Sequence, residues 1–162
     1  MEVRIRKGLK KDLPMVLDLI KELAGYENAT DKVDIILEDL EKDGFGINPL
    51  FKFIVAENQD DLIGMSLYFV RYSTWKGKTL YIEDFIIKKQ YRGFGVGSLL
   101  FQEMIAICVK EEFKGMTWQV LDWNLKAINF YKKYDAEISS SWLDGKLTKE
   151  QIHKFYSKNN LK

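Results

Sequence analysis

The chain has 162 residues, 46% of them hydrophobic and 30% charged, enough for one domain with one core that needs neither disulfides nor a structural metal. Its 25 lysines and arginines against 24 acids leave a formal charge of +1, which provides no electrostatic footprint for nucleic acid or an anionic membrane surface. Cys108 and His153 are the single cysteine and histidine, which argues against a disulfide framework, a zinc cluster and a Cys-His nucleophile pair, so any base should be a carboxylate.

Taken in chain order, Val3 and Ile5 alternate with charged residues and predict a first short strand. Leu13, Val16, Leu17, Ile20, Leu23 and Ala24 recur at helical spacing, with Pro14 acceptable in the first turn. Ile36, Leu37 and Leu40 predict a shorter helix that Asp43-Gly44 should end. Residues 51–56 and 62–70 read as antiparallel strands joined by Asn58-Gln59-Asp60-Asp61. Residues 79–87 form a further strand that carries Glu83 and Asp84 among apolar and aromatic neighbours. Residues 96–113 form a helix with Cys108 on its core face, followed by a strand at 116–121 and a helix at 124–134. A last strand is expected at 136–142 and a last helix at 148–155. A meander of strands that then alternates with helices predicts an α/β (α+β) domain over 1–162, a mixed sheet with helices on both faces. The N-terminus lacks a secretory apolar stretch, and no apolar run approaches the roughly 18 residues of a membrane span. The expected compartment is the cytoplasm, with no membrane partner.

Between the strand at 79–87 and its helix lies Arg92-Gly93-Phe94-Gly95-Val96-Gly97-Ser98. Glycines admit a ligand close to backbone N–H groups, and a helix start adds donors and partial positive charge, so the loop suits a pyrophosphate. The dinucleotide signature fails because Leu100 stands where its third glycine belongs, and no Gly-Lys-Ser/Thr is present for a nucleoside triphosphate.

What remains, Arg-x-x-Gly-x-Gly, is preceded by Tyr81-Ile82-Glu83-Asp84-Phe85-Ile86-Ile87 and followed by the run from Asp122 to Tyr131. These three blocks in this order resemble the GNAT superfamily of N-acetyltransferases. Tyr26-Glu27, Asp43-Gly44-Phe45-Gly46, the run Tyr72 to Gly77, and Leu121-Asp122-Trp123-Asn124 are similar to the spermidine/spermine (diamine) acetyltransferase family, including its thialysine branch. The resemblance runs from about Val3 to Trp142. It implies a mostly antiparallel sheet with a splayed pair of central strands, acetyl-CoA as co-substrate without a metal, and a homodimer in which the Trp75 loop is an interface element.

An alkylammonium titrates near about 10.4, so acetyl transfer needs a base. Glu83 is the candidate, acting directly or through a water. Asp84 points to the opposite face of an ideal strand, so a bulge or splay is required if both acids line one cleft. The resemblance implies that residues Phe85, Ile86 and Ile87 pair through backbone with the pantetheine arm and help stabilise the oxyanion. It implies that Arg92, Gly93, Phe94, Gly95, Val96, Gly97 and Ser98 hold the pyrophosphate and that Asn124 steadies the arm. With no usable histidine or cysteine, a tyrosine should protonate the leaving thiolate, and the family places one at the position of Tyr131. Phe130 is then left to fill the core.

Tyr26, Glu27, Trp75, Glu83 and Asp84 match positions that bind the amine substrate in the family. Ser73 replaces an acid of the polyamine enzymes, and Ser139-Ser140-Ser141 lacks their acidic pair, which lowers the affinity expected for several positive charges. Asp135 stands where a glycine is usual, in a turn conformation that Asp can adopt. The expected substrate is a small cationic amine, either a diamine or polyamine or an amino acid like thialysine or lysine. The alternatives are a protein N-terminal or lysine acetyltransferase, which would need a peptide-width groove, and a non-catalytic acyl-CoA-binding module, which would need neither Glu83 nor Tyr131.

Overall fold

The computed structural model describes residues 1–59 and 61–158, so Asp60 of the expected 58–61 connection lies outside the described residues. The chain falls into two compact units that divide between Gln119 and Val120.

The first unit is built on a five-stranded sheet in chain order, β1 (Arg4–Lys7), β2 (Lys52–Asn58), β3 (Asp61–Ser73), β4 (Gly77–Ile87) and β5 (Met116–Trp118). The first three pairings are antiparallel and β4–β5 is parallel, so the expected mixed, mostly antiparallel sheet is found. Helices α1 (Leu13–Tyr26) and α2 (Leu37–Phe45) cover one face. There Leu13, Val16, Leu19 and Leu40 pack with Phe53, Val55, Met65, Leu67 and Ile86 in a single core. Helix α3 (Val96–Lys110) covers the other face, where its Phe101 meets Phe85 and Trp118 edge to face at 6.0 and 5.5 Å between ring centroids. Pro14 sits in the first turn of α1 as expected. Helix α2 runs one residue past the expected stop, to Phe45, and the N–H of Gly46 closes it on Lys42 O.

Two sheet features matter for function. Leu67 pairs with Asp84 and Tyr68 with Ile82, so β4 carries one extra residue, Glu83, at a bulge. The pairing of β4 with β5 stops at Ile82 and Trp118, while β4 continues to Ile87. This is the expected splay. It also shortens the expected strand at 116–121 to three residues. At the other end of β3 and β4, Ser73 Oγ accepts from the N–H groups of Trp75 and Lys76, and Gly77 at φ +90° completes the hairpin turn.

A partly buried charge cluster ties β1 to β2 and to the start of α1. Arg6 on β1 donates to Asp12 at 2.6 and 3.0 Å and to Glu57 on β2 at 2.6 Å, while Leu9 N–H also donates to Asp12. Burial would lift the Asp12 carboxyl, but Arg6 and the Leu9 amide hold it below its ordinary range.

The second unit carries α4 (Leu125–Lys132) and α5 (Lys149–Lys158). Asp135 takes φ +57° after α4, the left-handed turn anticipated for it. Thr148 and Gln151 cap α5 reciprocally, Thr148 N–H to Gln151 Oε1 at 2.7 Å and Gln151 N–H to Thr148 Oγ1 at 3.3 Å. The strand expected at 136–142 does not form. Ser139 Oγ instead accepts from Ser141 N–H, a local bond that competes with a strand ladder, and no strand pairs with this segment among the described residues. No helix among the described residues is long and apolar enough to cross a membrane.

Candidate active site

The glycine loop has the geometry of an anion seat. Gly93 at φ +87° and Gly95 at φ +84° occupy backbone conformations that L side chains avoid, and open space surrounds both Cα positions. Gly95 caps α3, and the first intrahelical bond runs from Leu99 N–H to Gly95 O. The N–H groups of Val96, Gly97 and Ser98 therefore belong to the first turn, which has no acceptor within the helix. Val96 is buried and anchors that turn, while Phe94 is exposed. A diphosphate fits this donor set and its positive helix end. Arg92 turns back from the loop: its Nε donates to Ile87 O at 2.8 Å and its guanidinium lies 4.9 Å from the Tyr26 ring centroid.

On β4, Lys88 N–H donates to Ile63 O across the β3 pairing. Strand alternation then turns the backbone of Phe85 and Ile87 toward the edge that β5 leaves, and that of Ile86 toward β3. Of the three residues expected to pair with a pantetheine arm, Phe85 and Ile87 face that edge, with Ile87 O already accepting from Arg92 Nε, whereas Ile86 contributes a buried side chain to the core with α1.

The bulge brings Glu83 and Asp84 to one pocket of about 290 Å³, walled by Ile20 of α1, Leu40 of α2, Phe51 and Leu67. Asp39 and Asp43 of α2 line it as well, and no lysine or arginine among the described residues does. Burial, then Glu83, then Glu27 push the Asp84 carboxyl up to about 6. Burial likewise raises Glu27, which follows the last residue of α1. The pocket thus concentrates negative charge over apolar walls, an arrangement suited to an alkylammonium. Asp39 also accepts from Ile36 N–H at 3.1 Å and caps α2.

Asp39 and Asp43 were not anticipated as site residues. Their four-residue spacing sets both on one side of α2, a signal that the apolar pattern of Leu37 and Leu40 overshadows. Trp75 stands apart: it is 82% exposed at the β3–β4 turn. From Asp84 to Gly77 the strand spans about 23 Å, so this chain does not bring its own Trp75 to the pocket.

In the second unit Asn124 is the N-cap of α4, with its Oδ1 accepting from Ala127 N–H at 3.2 Å. Tyr131 is 6% exposed, and burial pushes its phenol up to about 12, so it is a protonated donor across the neutral range. Phe130 does not fill the core in place of Tyr131: Tyr131 is the buried ring and Phe130 lies half-buried against it at 5.3 Å between rings.

Comparison with known proteins agrees with this geometry. Thialysine N-epsilon-acetyltransferase from Sus scrofa is 38% identical over 142 residues, covering 83% of this chain and 84% of the relative. The Mus musculus protein of the same name is 37% identical over 151 residues, covering 86% and 89%. Spermidine/spermine N(1)-acetyltransferase-like protein 1 from Homo sapiens is 36% identical over 140 residues, covering 82% of this chain and 20% of that longer protein. Among solved structures, an aminoglycoside acetyltransferase from an uncultured soil metagenomic sample superposes with a TM-score of 0.76 at 19% identity, covering 90% of this chain and 97% of that one. The model of the acetyltransferase (GNAT) family matches residues 13–135, and the chain belongs to that family.

Proposed function

We propose that the chain transfers acetyl from acetyl-CoA to a primary amine of a small cationic substrate, a diamine or polyamine or an amino acid like thialysine or lysine. The observation that carries this reading is the β4 bulge, which sets Glu83 and Asp84 in a pocket lined, among the described residues, by four carboxylates and no basic side chain. Relatives named for thialysine and for spermidine/spermine acetylation support the same substrate class.

Acetyl-CoA supplies the acetyl thioester. Gly93 to Ser98 hold its diphosphate, Phe85 and the Ile87 N–H offer backbone to the arm, and Asn124 steadies the arm. Transfer proceeds directly within a ternary complex, where the amine nitrogen forms the new bond to the acetyl carbon as the carbon–sulfur bond breaks. Glu83 takes the amine proton, directly or through water, and Tyr131 gives a proton to the departing sulfur. Tyr26, Glu27 and Asp84 hold the cationic substrate. A second reading exchanges the acids: Asp84, half-buried and titrating near about 6, is closer to the pKa that suits a base working near neutrality.

The family match crosses from the first unit into the second, which supports one acetyltransferase domain over 1–162. We read the protein as a cytoplasmic homodimer in which the exposed Trp75 turn is an interface element. Light scattering on the purified protein tests the dimer. The activity is tested by free CoA release with spermidine, putrescine, lysine, thialysine and peptide amines. Release with one of the small cationic amines supports the reading, and silence across all of them sinks it.

A further inference from the structure

Arg92 opens the glycine loop, yet its side chain is committed to α1 and β4. Its Nε donates to Ile87 O at 2.8 Å, its guanidinium covers the Tyr26 ring at 4.9 Å, and Nη2 lies 3.8 Å from Glu22 Oε1. The same Glu22 oxygen accepts from Lys89 N–H at 3.2 Å. Glu22 and Tyr26 are four residues apart on α1, so one face of its last turns is fastened to the 89–92 segment at two points. Immediately beyond Tyr26 the helix ends at Glu27, whose charge acts on Asp84 in the amine pocket.

We propose that Arg92 is a positioning residue that couples the two halves of the site, tying the diphosphate loop to the end of α1 that carries Tyr26 and Glu27. This inference rests on the functional reading above. A lysine in its place would keep the positive charge near the loop. It would lose the planar fork that reaches a carbonyl, a carboxylate and a ring face together. Coupling of this kind is reciprocal between the two ligands, each changing the other's affinity by the same factor, and loosening either end of the tie disturbs the other half of the site.

The test reads both directions. Acetyl-CoA binding by calorimetry on amine-free protein should weaken about fivefold in Tyr26→Leu and return to wild type in Tyr26→Phe, which restores the ring under the guanidinium. Arg92→Lys should raise the amine KM about fivefold while kcat changes less than about twofold, and adding Tyr26→Leu should make matters little worse, as expected of two residues acting through one contact. Glu22→Ala separates positioning from simple electrostatics, since removing an acid beside the loop would by charge alone tighten binding of an anion. Coupling predicts instead weaker acetyl-CoA binding in that variant, together with a higher amine KM. Melting temperatures show whether each variant is folded, and the Tyr26→Phe and Glu22→Ala arms carry the test should Tyr26→Leu fail to fold. Wild-type acetyl-CoA binding in Tyr26→Leu, or an unchanged amine KM in both Arg92→Lys and Glu22→Ala, overturns the inference. A wild-type protein that acetylates no amine removes the functional reading itself, a different outcome.

Discussion

Glu83 and Asp84 are consecutive on β4 and line the same pocket, because Asp84 pairs with Leu67 while Glu83 is the extra residue of the bulge. Their proximity makes ionisation of the deeper acid costly, and Asp84 is pushed up to about 6 by burial, Glu83 and Glu27. Below that pH the pocket loses a negative charge and holds a cation less well. The amine kcat/KM should therefore rise with pH through about 6, and Asp84→Asn should abolish that step and raise the amine KM about tenfold. If Glu83 is the base, Glu83→Gln lowers kcat about 100-fold and Asp84→Asn lowers it far less. The reverse ranking assigns the base to Asp84. pH–rate profiles of the two variants decide between them.

The same shift has a stability consequence of definite sign. Unfolded, Asp84 titrates near about 3.9. Between there and about 6 the native state keeps a proton that the unfolded chain has lost, so this group makes stability fall as pH rises through the window. Above it the full cost of burying the charge is present. Asp84→Asn should accordingly stabilise the protein by about 1–2 kcal/mol at pH 7.5, a gain of several degrees in Tm, and by almost nothing at pH 3.5. Thermal melts at the two pH values check this, and an equal shift at both would rule out the electrostatic origin.

The elements of the first unit were legible because each is a strong local pattern. The apolar positions of α1, the β-rich runs of β2 to β4 and the glycine loop lie where the spacing puts them, whereas the run at 116–121 pairs over only three residues. Whether Glu83 and Asp84 share a face was not legible, since it depends on a one-residue slip between β3 and β4 that no local pattern encodes. The Arg6, Asp12 and Glu57 cluster was invisible for the same reason, because Arg6 and Glu57 meet only through the pairing of β1 with β2. The strand expected at 136–142 does not form because its serines satisfy one another locally.

Gly95 and Gly25 make a matched pair, since a Cβ added at either meets no atom within 4 Å. Only Gly95 has a positive φ, +84°, whereas Gly25 lies within α1. Gly95→Ala should cost about 1 kcal/mol of stability through backbone strain and weaken acetyl-CoA binding about tenfold, as the loop shifts to relieve it. Gly25→Ala should stabilise by about 0.5–1 kcal/mol by reducing the freedom of the unfolded chain. Chemical denaturation with calorimetric titration reads both. The same sign at the two positions would show that space rather than conformation selects glycine in the loop.

Arg6→Met leaves Asp12, which is 1% exposed, without the guanidinium that compensates its charge. A buried carboxylate without its partner costs about 3 kcal/mol. Asp12 is held below its ordinary range in the native protein, so the stabilising contribution is present above the unfolded value and is lost as pH falls through the folded one. The difference between wild type and variant should be large at pH 7 and shrink below about pH 4 as the carboxyl protonates. Urea denaturation across this range measures it. A constant difference would mean that Arg6 stabilises through packing of its stem rather than through its charge.

Tyr131 combines burial with a hydroxyl that stays protonated to about 12, so across the neutral range it carries a proton to donate and is not a phenolate base. Its ring is also part of the packing of α4, where it meets Phe130. Tyr131→Phe separates the two roles by keeping the ring and deleting the oxygen. As the donor to the departing sulfur, Tyr131 should lose about 10- to 100-fold in kcat on this change, with acetyl-CoA affinity within about twofold and Tm nearly unchanged. Because a thiolate needs that proton less as its own pKa falls, an acyl donor with a more acidic thiol should recover part of the lost rate in the variant while changing wild type little. Full activity with acetyl-CoA in Tyr131→Phe would reduce Tyr131 to a packing residue and pass the proton to solvent or to another group.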